Sequence, residues 1–325
     1  MYMKRSLVRL GQFAALTVLF LIMYVAGALI FPVPLPQGVT AEPGPLPAGM
    51  DMLVIGAANV LIIMLILLNA RWYGWKLYLA MAVSYYGLQT FMGQIETWYF
   101  LTNLTVSDKM LPMLFLMGTT VPVLFIPLAM LILGKWKQTL RTVGQEPVEM
   151  TLKYPASPWK AQWIVKAAIL AFTYALLYFL AGSFIAWQNP AVVAYYNGVD
   201  TGSFFKQMQL NLANDPALLP FQLFRGLLWA LFALPVIRLM KGSPWLIAVA
   251  VGLLVSVPLN ISHILANPLI PLNSVRMSHM VETASSTFVY GMIATCLLHR
   301  THRSWNDLMG QEKAGGKVTP ASKPV

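Results

Sequence analysis

Long apolar stretches recur along the whole of this 325-residue chain, and they constrain its fold more than any other feature. About 20 apolar residues are enough for a helix to cross the hydrocarbon core of a bilayer. Each crossing segment is expected to be helical, because the bilayer core holds no water to bond the backbone. The sequence therefore predicts an all-α, polytopic transmembrane helical bundle with eight spans, at about residues 10–30, 52–70, 77–101, 110–134, 163–187, 218–239, 244–265 and 275–298.

The net charge of +11 lies mainly in loops and ends that eight spans would place on one side of the membrane. All but four of the 22 Lys and Arg residues fall on the side of the termini; the exceptions are Lys109, Lys206, Arg225 and Arg276. The positive-inside rule makes this side the cytoplasm. We therefore predict a multi-pass plasma-membrane protein of the bacterial inner-membrane type with both termini cytoplasmic. Its predicted partners are the lipid bilayer and a small-molecule or lipid ligand rather than nucleic acid, and its oligomeric state stays open.

The order of the loops divides the predicted chain into two halves. Residues 1–134 form a first four-span half, 135–162 a basic cytoplasmic linker, 163–298 a second four-span half, and 299–325 a basic tail that is expected to be disordered. Each half contains a long outer loop, a short basic inner turn and a short outer loop, in that order. Two parallel four-span repeats explain this order, and chance similarity of loop lengths is the alternative. A cleaved signal peptide ending near Ala28 is an alternative for the first span.

The last predicted span is unusually polar. It carries Arg276, His279, Glu282, Ser286 and Tyr290 in a segment that must still cross the membrane. At 3.6 residues per turn, all of these except Glu282 share one stripe, and Glu282 lies beside it. Ionisable groups are costly at membrane depth, so they commonly face a bundle interior or a cavity. The span therefore predicts a buried polar site.

Polar residues of three other spans are predicted to lie at the same depth. Glu96 and Gln89 share a helical face in the outer part of the third span, and Arg225 lies in the outer part of the sixth. Asn260 and His263 close the outer end of the seventh span. Because these groups share the outer third of the bilayer with those of the last span, we expect one site. We also expect at least one ion pair between a glutamate and an arginine of this set.

The chemistry of these side chains suggests their roles. Carboxylates and imidazoles exchange protons, which makes Glu96, His279 and Glu282 the candidate catalytic residues. The predicted substrate-binding residues are Arg225, Arg276, Asn260, His263, Gln89, Ser286 and Tyr290. His263, His279 and Glu282 are also of the ligand types that bind zinc or iron. Their spacing is unspecific and the nearby arginines repel cations, so no metal is predicted, and the sequence identifies no cofactor.

One short segment resembles a known family. Phe224-Arg-Gly-Leu-Leu-Trp229 is similar to the segment that follows the paired glutamates of the CAAX-protease-like intramembrane proteins. In that family two adjacent glutamates precede the arginine by four and five positions, where this chain has Phe221 and Pro220. The resemblance covers six residues and lacks the catalytic acid pair, so it implies no shared activity.

The sequence favours the first of three function classes, and the other two are alternatives. The first is a transporter or a small-molecule or anion-binding membrane protein, in which the arginines bind an anionic group and His279 with Glu282 couples protons. The second is an intramembrane enzyme that acts on a lipid or lipid-linked substrate by His and carboxylate acid–base chemistry, with or without a metal. The third is a structural scaffold in which the polar groups only hold helices together.

The charge distribution yields a prediction about topology. Single cysteines introduced at Gly38 and Asn197, with Cys296 replaced by serine, should react with a membrane-impermeant maleimide added to intact cells. A cysteine at Gly144 should react only after the cells are permeabilised. Labelling of position 144 in intact cells would reverse the predicted orientation.

Overall fold

The computed structural model describes residues 2–36, 38–47, 49–102, 104–107, 109–137, 159–199 and 201–310. The regular structure of these residues is helical, and one isolated bridge is the only β contact among them. The predicted all-α class is therefore confirmed for this part of the chain. Most of the predicted linker, 135–162, and the end of the predicted tail, 299–325, lie outside the described residues.

The first half contains six α-helices, two of which are continued from others through π-helical turns. These helices are α1 (Tyr2–Ile30), α2 (Met50–Leu68), α3 (Gly74–Tyr85), α4 (Met92–Leu101), α5 (Met110–Met117) and α6 (Ile126–Ile132). One π turn, Tyr86–Phe91, joins α3 to α4, and another, Val121–Phe125, leads into α6. The interruption between α5 and α6 contains Pro122, which lacks the amide hydrogen that a regular helix needs.

The second half has longer helices and a structured loop. These helices are α7 (Gln162–Phe184), α8 (Pro190–Tyr195), α9 (Phe204–Asn214), α10 (Leu218–Leu239), α11 (Pro244–Asn260), α12 (Asn273–Leu298) and α13 (Trp305–Leu308). Short 3-10 turns extend α7 at Ala186–Gln188 and α11 at Ile261–Ile264. The short helices α8 and α9 occupy the loop between α7 and α10.

Seven helices of the described chain are long and apolar enough to cross a membrane, as expected of a multi-pass integral membrane protein. These segments are Ser6–Ile30, Met50–Leu68, Met110–Ile132, Gln162–Gln188, Leu218–Leu239, Pro244–Ile264 and Asn273–Leu298. The predicted span at 77–101 is helical as well, within α3 and α4, but it does not belong to the seven. Gln89, Gln94 and Glu96 lower its hydropathy. The count of eight spans therefore stays a prediction.

The turns after α2 and α10 pair with each other at one end of the bundle. Ala70 and Met240 form an antiparallel bridge, which is flanked by hydrogen bonds from the Arg71 amide to the Leu239 carbonyl and from the Lys241 amide to the Asn69 carbonyl, both 2.8 Å. We call this the terminal end, because α1 begins and α12 ends there. The opposite end, which holds α8, α9 and the loop before α12, is called the loop end.

Helices of the two halves are interleaved. The second predicted span of each half packs on the third predicted span of the other half: α2 contacts α11, and α10 contacts α3. Within the second half α12 packs closely along α11, with Gly291 against Gly252. Small residues at such a crossing let two membrane helices approach and gain van der Waals contact. The bundle is therefore held across the two halves as well as within each one.

Large buried side chains fill the bundle between the terminal end and its middle. Phe20, Phe125 and Trp229 have no exposed surface, and Tyr85 and Tyr290 are almost completely buried. The hydroxyls of the two tyrosines are satisfied locally: Tyr85 donates to Asn59 Oδ1 at 2.7 Å and Tyr290 donates to the Gly226 carbonyl at 2.5 Å. The terminal half is thus densely packed, and most of the predicted site residues lie toward the loop end.

The close contact of α11 with α12 yields a stability prediction. A Cβ atom at Gly291 would lie 2.8 Å from the Gly252 Cα atom, so Gly291→Ala forces the helices apart. Overpacking of this kind typically costs about 1–3 kcal/mol. We expect a lower melting temperature, measured by recovery on size-exclusion chromatography after heating. The control is Gly11→Ala, where a Cβ meets nothing within 4 Å. Equal melting of the two variants would contradict this packing.

Candidate functional site

A cavity of about 800 Å³ lies at the loop end, between the two halves. Its wall comes from the loop-end portions of α1, α4, α5, α7, α11 and α12 and from the loop that holds α8 and α9. Six predicted site residues line it: Gln89, Glu96, Asn260, His263, His279 and Glu282. The structure therefore brings together polar residues that are up to 193 positions apart in the sequence (282 minus 89).

One wall of the cavity holds an ion pair between Glu96 and Arg225. Arg225 Nη2 donates to Glu96 Oε2 at 2.5 Å, and Arg225 Nη1 donates to Gln222 Oε1 at 3.0 Å. The arginine side chain is 1% exposed and the glutamate side chain 30%. Arg225 therefore lies behind the wall while Glu96 lines it. The buried guanidinium and this carboxylate form a charge-assisted hydrogen bond.

Aromatic rings surround the guanidinium on its other sides. Its central carbon lies 5.4 Å from the ring centre of Tyr174 and 5.7 Å from that of Phe221. The negative face of an aromatic ring attracts a cation within about 6 Å. These rings partly replace the hydration that Arg225 loses on burial.

A second wall holds three residues in a hydrogen-bonded row. His279 Nδ1 lies 2.9 Å from Glu282 Oε2, and His279 Nε2 lies 3.0 Å from the Tyr196 hydroxyl. A carboxylate only accepts hydrogen bonds, so Nδ1 carries a proton, and the ring in its neutral form accepts from Tyr196 at Nε2. Glu282 thereby fixes the orientation and tautomer of His279, as a carboxylate does for a general base.

Tyr196 itself lies outside the membrane-spanning helices, just after α8. Burial raises the pKa of its hydroxyl well above the ordinary value, and the nearby Tyr195, Glu96 and Glu282 raise it further. The hydroxyl therefore stays protonated at neutral pH and serves as a hydrogen-bond donor. It is not a phenolate nucleophile.

The second histidine of the cavity is held by its own helix end. His263 Nδ1 lies 3.0 Å from the Asn260 carbonyl, which fixes the proton on Nδ1 and leaves Nε2 as an acceptor. Asn260 donates through Nδ2 to the Ser256 carbonyl at 2.7 Å, which fixes the orientation of its amide. The Asn260 Oδ1 atom is buried and accepts no hydrogen bond.

Four other predicted residues do not line the cavity. Arg225 supports Glu96 from behind. Arg276 is fully buried and donates to backbone carbonyls, including those of Ile270, Pro271 and Glu42, so it joins the loops before α2 and α12. The Ser286 hydroxyl donates to carbonyls of its own helix. Tyr290 joins α12 to α10 through the Gly226 carbonyl, deep in the packed half.

The expected ion pair exists, with a defined pairing. Arg225 binds Glu96, whereas Glu282 binds His279 and no arginine. The described residues contain no group of three or more His, Cys, Asp or Glu side chains that could hold a metal ion. The weak metal candidates His263, His279 and Glu282 therefore do not converge as a ligand set.

The loop between α7 and α10 supplies cavity residues that the sequence reasoning missed. Tyr196, Trp187, Asn211 and Asp215 all line the cavity. Asp215 accepts a hydrogen bond from the Tyr99 hydroxyl at 2.6 Å, which ties the end of α9 to α4. The available signal was the adjacent pair of tyrosines and the polar end of α9 in a loop with little charge.

The unequal burial of the two partners yields a prediction. In Glu96→Gln the fully buried Arg225 loses its counter-charge, which should lower the free energy of unfolding by about 3–5 kcal/mol. In Arg225→Met the stranded Glu96 remains partly hydrated by the cavity, so the loss should be smaller. The double variant should melt above Glu96→Gln alone. Thermal melts of the three purified variants test this order, and equal losses in both single variants would contradict it.

No family model, no curated protein and no solved structure matches this chain.

Proposed function

We propose that the chain crosses the membrane eight times as two parallel four-span repeats, with both termini in the cytoplasm. The helical stretch Gly74–Leu101 has 28 residues (101 minus 73), and at 1.5 Å per residue it is long enough to cross a bilayer. In each half the first helix begins near the place where the last one ends. Gln12 donates to the Ile132 carbonyl at 2.8 Å and Gln162 to the His302 carbonyl at 3.3 Å. An even number of crossings per half agrees with these contacts.

The paired turns support the repeats further. Ala70 follows α2 in the first half, and Met240 follows α10 in the second, so the bridge joins corresponding positions. The reciprocal packing of α2 on α11 and of α10 on α3 is the relation expected of a two-fold axis along the membrane normal. With the termini in the cytoplasm, the cavity opens at the outer side of the membrane.

The activity that this geometry supports best is acid–base catalysis on a lipid or lipid-linked substrate at the outer leaflet. The observation that carries the proposal is the row Tyr196–His279–Glu282 in the wall of a cavity that is large enough for a substrate. A histidine oriented by a carboxylate at Nδ1 and free to accept at Nε2 is a general base. Glu282 stabilises the imidazolium that forms when His279 accepts a proton.

The remaining cavity residues fit such a reaction. A substrate hydroxyl or amine that replaces the Tyr196 hydroxyl at His279 Nε2 would donate its proton to the imidazole. Tyr196 would then be free to donate a hydrogen bond to an oxygen on which negative charge develops. Glu96, which is paired with Arg225, lines the same volume and would stabilise positive charge there.

The composition of the wall suggests an amphipathic substrate. Beside the polar groups, the cavity is lined by apolar side chains from several helices, among them Val33, Leu114, Met117 and Leu259. A head group would meet the polar wall while an acyl or prenyl chain contacts the apolar one. We therefore place the substrate among lipids and lipid-linked compounds.

A proton-coupled transporter is the second candidate. Its specific support is the position of the cavity between two halves whose terminal side is closed by Phe20, Phe125 and Trp229. A bundle of two parallel repeats could expose such a site alternately to the two sides of the membrane. His279 and Glu282 would then exchange the coupled proton.

The test uses His279→Asn and Glu282→Gln, with Ser286→Ala as a matched control on the same helix outside the cavity. Each variant is expressed to the same level, and its melting temperature is compared with that of the wild type. Lipids and lipid-linked compounds are then extracted and compared by mass spectrometry. An enzyme predicts a chemical change in one compound class with wild type and Ser286→Ala, and loss of that change with the other two variants. The loss should be about 100-fold or more if His279 is the general base.

A transporter predicts a different result from the same cells. The chemical composition of the extract would stay constant, while the distribution of one compound between the two sides of the membrane would depend on His279 and Glu282. Identical extracts and identical distributions in wild type and variants would contradict both candidates and leave the row a structural contact.

A further inference from the structure

Hydrogen-bond accounting at the cavity wall reveals an excess of acceptors. Both histidines carry their proton on Nδ1, where it is donated to Glu282 or to the Asn260 carbonyl. In its neutral form each ring therefore offers a bare Nε2 to a ligand, at His279 once the Tyr196 hydroxyl is displaced. Glu96 and Glu282 are acceptors as well when ionised. The titratable groups of the wall therefore favour a ligand that supplies hydrogen-bond donors.

Two amide oxygens add to this excess. Asn260 is 1% exposed and lines the cavity, and its Oδ1 atom accepts no hydrogen bond. Its orientation is fixed, because Nδ2 donates to the Ser256 carbonyl. Gln94 also lines the cavity with a buried Oε1 that accepts no hydrogen bond. A buried acceptor without a partner costs free energy. Both oxygens are covered by neighbouring atoms, so a ligand donor would reach either one only after its side chain turned toward the cavity.

The charges at the wall have the same sign. Glu96, Glu282 and Asp215 line the cavity, and no lysine or arginine does so within the described residues. Arg225 neutralises Glu96 from behind, whereas Glu282 is paired with His279 and with no lysine or arginine of the described residues. Asp215 accepts from the neutral hydroxyl of Tyr99. A ligand with a positive charge would therefore compensate carboxylates that no lysine or arginine of the wall accompanies.

We propose that the ligand of this cavity carries a primary ammonium group, which binds between Glu282 and Glu96, beside Asn260. This deepens the proposed function, on which it rests for the identity of the site, by naming the chemical class of the substrate's polar end. A primary ammonium brings one positive charge and three N–H donors. The aromatic rings of Trp187, Tyr178 and Tyr196, which also line the cavity, add faces that attract a cation.

An ammonium group fits the wall better than an anion or a neutral head group. An anion would meet carboxylates and bare acceptors, because Arg225 and Arg276 are engaged outside the cavity. A sugar or other polyol would supply donors, but it would leave the excess negative charge in place. The arginines that the sequence suggested as anion partners therefore do not determine the charge of the ligand. The carboxylates and other hydrogen-bond acceptors of the cavity wall determine it.

The first experiment compares four probes of equal chain length on the purified full-length wild type: n-octylammonium, n-octyltrimethylammonium, n-octanol and n-octanoate. Dissociation constants are measured in lipid nanodiscs by displacement or thermophoresis. Octylammonium should bind most tightly, because only it combines charge with N–H donors. The trimethyl compound keeps the charge and loses the donors, so it should bind about tenfold more weakly. Octanol and octanoate should bind more weakly still.

The second experiment locates the site with variants. Glu282→Gln should weaken octylammonium binding about tenfold or more and leave octanol binding unchanged. The control is Asp51→Asn, which removes an acidic charge at the start of α2, outside the cavity, and should change nothing. If Glu282→Gln does not fold, octylammonium and octanol affinities are compared in Asn260→Ala instead, which changes an uncharged side chain of the cavity wall.

Two further probes distinguish the source of the ammonium. Free ethanolamine tests a water-soluble amine, and nanodiscs of phosphatidylethanolamine against phosphatidylglycerol test a lipid head group by native mass spectrometry of retained lipid. Retention of phosphatidylethanolamine with no binding of ethanolamine assigns the lipid source, and the reverse assigns the soluble amine.

Several results would overturn the inference. Equal affinity for octylammonium, its trimethyl analogue and octanol would remove the case for N–H donors and charge. Equal loss in Glu282→Gln and Asp51→Asn would place the binding elsewhere. The failure of the proposed catalysis is separable, because ammonium binding without any change in membrane lipids would retain this inference and reject the enzyme. Lipid turnover that requires His279, together with no preference for ammonium probes, would retain the enzyme and reject this inference.

Discussion

The buried charge of Arg225 is the constraint on which the cavity depends. A guanidinium with 1% of its side chain exposed, inside a bundle of apolar helices, requires a counter-charge. Glu96 supplies it from α4. This pairing accounts for a carboxylate in the predicted span at 77–101, which is less apolar than the seven segments that are apolar enough to cross a membrane. The pair therefore explains both the glutamate at the cavity wall and the contact of α10 with α4.

The sequence predicts the architecture well because membrane depth imposes strong local requirements. Helical class, the seven apolar segments and the gathering of Glu96, Asn260, His263, His279 and Glu282 at one end all follow from hydropathy and helical spacing. The pairing among them follows only in part. The i, i+3 spacing on one helix places His279 beside Glu282, whereas the pairing of Arg225 with Glu96 depends on how α10 packs against α4.

The sequence is least informative where the backbone is irregular. The residue type of Arg276 suggests an anion ligand. Its guanidinium instead donates hydrogen bonds to the carbonyls of Ile270, Pro271 and Glu42, which lie in loops and have no helical partner. Carbonyls in loops at membrane depth need such donors, and a pattern of side chains does not reveal them. Tyr196 and Asp215 were missed for the related reason that a long loop has no period from which a facing direction can be read.

The unpartnered polar atoms of the described residues lie both in the packed half and beside the cavity. In the packed half the hydroxyls of Tyr85 and Tyr290 find acceptors across helices and strengthen the bundle, whereas the Ser84 hydroxyl and the Trp229 indole nitrogen have no hydrogen-bond partner. Among the residues that line the cavity, the Asn260 and Gln94 oxygens lack donors. A native fold seldom leaves such groups unpaired, and only beside the cavity is there space in which a ligand could offset their cost.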